Sequence, residues 1–192
     1  MSEMPQRMRI ATYNIHRAIG SDGLEKPERI AAVLRELDAD IVALQEVGYA
    51  SGTPGNVLEY FGESIQADVI EGITLQDERG HYGNAVLCRL PTSSIQLHDI
   101  SVNGREPRGA IELSLQIIAT HLGLRPGERR HQVERLIPLL DASTADIKIL
   151  LGDLNEWFLW GRPMRRLHRV FGRASAPATF PTRRPWLALD RL

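Results

Sequence analysis

Apolar residues along this chain gather into short runs that each stop at a polar side chain. The run Ile147–Asn155, Ile-Lys-Ile-Leu-Leu-Gly-Asp-Leu-Asn, has the length and β-branched content of a strand buried on both faces, and Gly152-Asp153 reads as the turn that ends it. Met8–Ile15 alternates apolar and polar positions and predicts a first strand ending at Asn14. Ile41–Leu44 predicts a second, ending at Gln45-Glu46. Asn84–Leu90 predicts a third, stopped by Pro91, and Ile95–Val102 a further alternating strand. Trp186–Leu192 begins a last one. Spacings of three and four predict helices over Glu28–Glu36, with Pro27 near its start, over Pro126–Leu140 and over Arg162–Phe171, and more weakly over Val57–Gln66. Ser51–Asn56, Asp77–Gly83, Asn103–Gly109 and Arg173–Pro185 read as loops.

Ala110–Ala119, closed by Thr120-His121, is a longer apolar run than an ordinary strand of about five or six residues. Two antiparallel strands would need a Gly/Asn turn near Leu115-Gln116, and none is there. The expectation is a hairpin whose loop is shortened or missing. Strands alternating with helices predict sheets covered by helices.

Composition changes this picture little. A chain of 192 residues supports one sizeable core, and 43% hydrophobic and 24% charged residues are ordinary values for a globular protein. The net charge of -1 gives no global attraction to nucleic acid or to a membrane surface. The only lysines are Lys26 and Lys148; every other basic residue among the Lys and Arg is Arg, the better bidentate partner of phosphate. The lone cysteine, Cys88, lies in an apolar run and reads as buried filler. No apolar stretch is long enough to span a bilayer, and the polar N-terminus does not read as a signal peptide, so the expected compartment is the cytoplasm.

Chemistry enters with the residues that close the runs. Asn14, Glu46, His121, Asp153 with Asn155, and Asp190 all stand at predicted strand ends, where loops on a rigid scaffold collect functional groups. Asp153 and Asn155, one residue apart, would point to the same side of an extended chain; an Asx turn that merely closes the strand is the plainer reading of that pair. Oxygen ligands with one His and no Cys cluster favour Mg²⁺ or Mn²⁺ over structural zinc, and Glu46 is the best candidate direct ligand. Arg162, Arg165, Arg166, Arg169, Arg173, Arg183 and Arg184, interleaved with Trp157, Trp160, Phe171, Phe180 and Trp186, suit a polyanion with rings to stack, or a solvated Arg face over an aromatic patch.

The segments Thr12-Tyr13-Asn14-Ile15, Leu44-Gln45-Glu46-Val47, Gly83-Asn84-Ala85-Val86-Leu87, Thr120-His121-Leu122, Gly152-Asp153-Leu154-Asn155 and Leu189-Asp190-Arg191, in this order, resemble the endonuclease/exonuclease/phosphatase, or DNase I-like, superfamily. The resemblance implies one four-layered α/β sandwich over 1–192, two mixed β-sheets face to face with helices outside. It implies hydrolysis of phosphodiesters or phosphomonoesters with a divalent cation. On matching positions, Glu46 resembles the metal carboxylate supported by Asn14, and Asp153 the group that orients or deprotonates the attacking water. Asn155 resembles the amide that holds this assembly and the phosphate. His121 resembles the histidine on a phosphate oxygen, and Asp190 the acidic residue before the last strands. Asn84 resembles a phosphate-binding residue, and Arg105 and Arg108 compete for the role of phosphate-contacting arginine. The family's final segment carries a Ser-Asp-His triplet; the chain reaches Leu192 before one, so the expectation is a domain lacking that segment and its closing strand. His16, His81, His98, His131 and His168 are expected to be surface or supporting residues. The implied partner is a phosphate-ester substrate, with nucleic acid or a nucleotide first. Phospholipid or inositol-phosphate substrates, or a non-catalytic binding module, are the alternatives. Nothing in the sequence speaks to oligomeric state.

Overall fold

A computed structural model of the chain describes residues 7–49, 56–77, 80–92, 94–113, 117–142, 148–158, 161–172, 177–181 and 183–191. The strands are β1 (Ile10–Asn14), β2 (Ile41–Tyr49), β3 (Asp68–Asp77), β4 (Gly80–Cys88), β5 (Ile95–Asp99), β6 (Gly109–Leu113), β7 (Ile117–His121), β8 (Ile149–Asp153) and β9 (Asp190–Arg191). The helices are α1 (Pro27–Leu37), α2 (Val57–Ile65), α3 (Pro126–Asp141) and α4 (Arg162–Phe171). They build two mixed sheets, ordered β1-β2-β4-β3 and β5-β6-β7-β8-β9. The pairs β1–β2 and β7–β8 are parallel and the rest antiparallel.

The period-2 alternation of each central strand explains the layering. In β2, Ile41 and Ala43 point to one face while Val42 and Leu44 point to the other. The inward set meets Val86, Cys88, Ile111, Leu113, Ile117, Ala119 and Leu151 between the sheets. The outward set meets Ile30, Ala31 and Leu34 of α1 and Leu58, Phe61 and Ile65 of α2. On the second sheet Ile118 and Leu150 face out against Val133, Leu136 and Leu140 of α3 and Met164 and Leu167 of α4. The result is the expected four-layered α/β sandwich with two mixed sheets face to face. Central strands apolar on both faces produce the continuous runs seen in the sequence. Pro27 and Pro126 stand in the first turns of α1 and α3, where their missing N–H costs nothing. Asn56 caps α2, its Oδ1 accepting from Leu58 N at 2.8 Å and Glu59 N at 3.0 Å.

Three expectations are corrected, and the hairpin expected over Ala110–Ala119 is present. The second strand does not stop at Leu44 but continues to Tyr49 through a bulge between Leu44 and Val47. Asp77–Gly83 is not a loop: its ends belong to β3 and β4, a long antiparallel pair whose first strand the sequence pattern did not reveal. Ala110–Ala119 is two strands, with Ile111 opposite Ala119 and Leu113 opposite Ile117; residues 114–116 lie outside the described residues. The last strand is shorter than Trp186–Leu192, covering only Asp190–Arg191, after an isolated bridge between Phe180 and Leu187. Ile147, Trp160 and Arg173 lie outside the described residues.

Candidate functional site

The two parallel pairs aim their C-terminal ends at one edge of the sandwich. In the first sheet Asn14 lies beside Gln45, and in the second His121 lies beside Asp153, which is opposite Asp190 on β9. The bulge in β2 puts Glu46 in the left-handed region at φ 56° and turns its side chain out of the regular pleat. Gly152, at φ 140°, permits the last step of β8: an added Cβ would overlap the Thr120 carbonyl oxygen. A glycine before Asp153 is therefore a requirement of the β7–β8 pairing.

The Asn14 amide joins the two sheets at this edge. Asn14 Nδ2 donates to Glu46 Oε1 at 2.9 Å and to Asp153 Oδ2 at 3.1 Å. Asp153 Oδ1 accepts from Asn155 N at 2.9 Å, which is the Asx turn expected of the sequence. Asn155 is not extended, with φ 49°, so its side chain leaves Asp153 and reaches His121. Its Nδ2 donates to Leu122 O at 2.8 Å and lies 3.1 Å from His121 Nε2, which sits 3.8 Å from Asp153 Oδ2. The Asx turn thus holds, whereas the expectation that Asp153 and Asn155 share one side of an extended chain is corrected: the turn sends the Asn155 amide to His121.

Charge is unevenly shared. Burial alone would raise the Glu46 carboxyl, but hydrogen bonds from Asn14 and His16 outweigh it and hold the group below the usual carboxylate range. Burial, then the charge of Arg108, push His121 below the ordinary histidine value. Burial, then the charges of Asp153 and Glu46, raise Asp190, against a hydrogen bond from Thr179. Asp190 Oδ1 is buried and has no hydrogen-bond partner among the described residues.

The arginines separate. Arg108 is buried, pairs through Nη1 with Glu106, and has no partner for Nε among the described residues, whereas Arg105 is exposed in the turn before it. Asn84 spends its Nδ2 on Gly109 O at 3.2 Å, the carbonyl that also accepts from Thr120 Oγ1 at 3.2 Å, and so fixes the residue after Arg108. Three groups at the site were not singled out from sequence. His16 Nδ1 lies 2.9 Å from Glu46 Oε2. The Arg17 guanidinium stacks over the Tyr82 ring at 4.6 Å from its centroid. Tyr82 is pushed up to about 12 by burial and then by Glu46 and Glu106. His16 and Arg17 stand two and three positions after Asn14, and that nearness was their only signal. Among the described residues no three or more His, Cys, Asp or Glu side chains are grouped closely enough to hold a metal by themselves.

Residues 11–192 match the family model described as Endonuclease/Exonuclease/phosphatase family. The chain is 32% identical over 211 residues to Uncharacterized protein YbhP of Escherichia coli (strain K12), covering 96% of this chain and 83% of that protein. A crystal structure of an endonuclease/exonuclease/phosphatase from Beutenbergia cavernae DSM 12333 superposes at TM-score 0.63 with 25% identity over 78% of this chain, which spans 48% of that one. A family protein from Leptotrichia buccalis C-1013-b superposes at TM-score 0.66 with 16% identity, covering 96% of this chain and 86% of that one.

Proposed function

The chain belongs to the Endonuclease/Exonuclease/phosphatase family, whose members act on phosphate-ester bonds, and from that premise we propose that it is a divalent-metal-dependent phosphodiesterase. Its first substrate class is nucleic acid or nucleotides, and its compartment the cytoplasm. The observation that carries the reading is the Asn14 amide shared by Glu46 and Asp153, with His121 and Asn155 closing the other side. Side chains from both sheets meet within hydrogen-bond range at one strand edge, where an open layered sheet binds its ligands.

The residues fit a hard cation. Burial first, and then the charges of Asp153 and Glu46, push Asp190 toward its neutral form, and the charge part of that is what carboxylates crowded together do. Glu46 with Asn14 would hold Mg²⁺ or Mn²⁺, which needs only one or two carboxylates and completes its shell with water and phosphate. Such an ion supplies neutralisation of the phosphate charge when bound. The remaining work falls to the chain. Asp153, pinned at Oδ1 by Asn155 N and at Oδ2 by Asn14, orients a water for in-line attack and accepts its proton. His121, between Asn155 and Asp153, donates to a phosphate oxygen once protonated, and Asp153 stabilises the imidazolium. Buried Arg108 presents a fixed charge beside His121, which supports it over exposed Arg105 as the phosphate arginine. Trp157 and Trp186 are 55% and 71% exposed, and rings so presented suit a base-bearing substrate.

The test is a panel of single- and double-stranded DNA, abasic DNA, RNA, inositol phosphates and sphingomyelin, with Mg²⁺ and with EDTA. Hydrolysis of a nucleic-acid member that EDTA abolishes, and that Asp153→Asn lowers by about 10²-fold or more, is the expected result. Undiminished activity in that variant overturns the role of Asp153. Activity confined to the lipid or inositol substrates overturns the substrate class.

A further inference from the structure

A second set of charged groups is buried behind the site and takes no part in the chemistry above. The first turns of α3 carry Glu128, Arg129 and Gln132, all buried. Arg129 Nε donates to Glu156 Oε2 at 3.3 Å, and the two side chains are 5% and 3% exposed. Arg129 Nη1 donates to Gly123 O at 3.3 Å and to Leu124 O at 2.6 Å. Gln132 Oε1 accepts from Gly123 N at 2.8 Å, and its Nε2 donates to Glu128 Oε1 at 3.4 Å. Glu156 Oε1 accepts from Phe158 N at 3.2 Å, and the Glu156 carbonyl accepts from Arg191 Nη2 at 3.1 Å.

This node ties together three segments that each carry a site residue. The segment after β7 begins at His121, and Arg129 and Gln132 grip it at Gly123 and Leu124. The segment after β8 carries Asn155, and Glu156 is the next residue. β9 carries Asp190, and Arg191 is the next residue. The surroundings are shaped for the charged groups: a Cβ at Gly123 would overlap the Glu128 carboxylate, and one at Gly161 would come within 2.7 Å of the Glu156 side chain. A buried ion pair is a poor way to gain stability, because apolar residues of the same volume do as well or better. A planar guanidinium with fixed N–H directions is a good way to fix geometry.

We infer that Arg129 and Glu156 are positioning residues, whose ion pair sets His121, Asn155 and Asp190 in register with one another. Neither has a role at the phosphate. In its kinetic consequence the inference rests on the phosphoesterase reading; in its structural consequence it rests on the fold alone.

Two variants test it. Arg129→Lys keeps the buried charge and loses the fork. Glu156→Gln keeps the volume and loses the charge. Misplacement of catalytic groups by about 1 Å costs about 10²-fold in rate, so kcat is expected to fall by about 10- to 100-fold in each, with KM within about twofold. Ile137→Ala, a cavity on α3 away from the node, lowers the melting temperature and leaves kcat within about twofold. A second readout needs no activity. The Asn155 side-chain amide donates to Leu122 O, and its ¹⁵N-correlated signals shift and lose exchange protection in Arg129→Lys but not in Ile137→Ala. If Arg129→Lys does not fold, Glu156→Gln carries both readouts. Unchanged kcat together with unchanged Asn155 signals overturns the inference. A wild-type chain inert toward every phosphate ester overturns the proposed function instead, and the amide signals still decide the positioning role.

Discussion

Asn14 and Asp153 stand 139 positions apart, and the amide of the first donates to the carboxylate of the second at 3.1 Å. The same nitrogen serves Glu46 at 2.9 Å, so one side chain holds two carboxylates from different sheets. Removing it leaves two acceptors without their shared donor. Asn14→Ala is expected to lower kcat by about 10²-fold, the scale of one lost preorganised donor. Since Asn14 is only half-buried, the melting temperature should move little by comparison. Steady-state kinetics and a thermal melt on the same sample check the pair of outcomes; a loss of stability without a loss of kcat would make the amide purely structural.

Gly152 tests the backbone beneath the site. At φ 140° a side chain is strained, and the Thr120 carbonyl occupies the place its Cβ would take. Gly152→Ala must open the β7–β8 pairing that sets His121 beside Asp153. We expect a destabilisation of about 3 kcal/mol or more, at the exceptional end for point substitutions, read as a fall in the urea midpoint. Activity should fall further than stability does, because the two site residues separate. A variant with wild-type activity would show that the strand end tolerates the extra atom.

The fold was legible where physics made the signal continuous. β2, β4 and β8 pack against a helix layer on one face and a sheet on the other, so their apolar runs are unbroken, and those of β2 and β8 end at the functional edge. β3 was hidden because it is an edge strand carrying Asp68 and Glu71, with Ile73 exposed, so its pattern never resolves into apolar and polar faces. The β6–β7 hairpin showed only in the length of its apolar run, because both strands are apolar and no Gly or Asn stands between them in the sequence. At the site, the residues closing the runs were visible one by one. What the sequence lacked was the backbone that aims them. The turn His16–Ala18 has three non-glycine residues at φ 47°, 55° and 59°, and no residue type announces it, so the His16–Glu46 contact was unreadable. The difference in burial between Arg105 and Arg108 likewise comes only from the packed turn.

His121 makes stability depend on pH in a stated direction. Burial and Arg108 depress its value in the folded chain, so the unfolded chain binds the proton more readily. The stabilisation is present above the ordinary histidine value of about 6.5 and is lost as pH falls toward the depressed one. Between pH 7.5 and 5.5 the wild-type urea midpoint should fall more than that of His121→Gln, which cannot take up the proton. Equal slopes in the two proteins would mean that His121 is as easily protonated folded as unfolded.

Asp190 runs the opposite way. Its folded value is raised by burial and by the charges of Asp153 and Glu46, so here the folded chain binds the proton more readily. Its contribution favours the fold at low pH and declines as pH rises from the ordinary carboxylate range through the raised value. At neutral pH the group is therefore a cost to stability, and one of its oxygens has no partner among the described residues to offset it. Asp190→Asn removes the charge and keeps the shape. It is expected to melt higher than wild type at pH 7, by about 2–4 °C, the response of a chain this size to about 1 kcal/mol. The advantage should shrink as pH is lowered, and phosphoesterase activity should fall, the pattern of a site that holds strain for function. A variant that melts lower at pH 7 would show that the carboxylate is instead satisfied where it lies, and that Asp190 belongs to the scaffold.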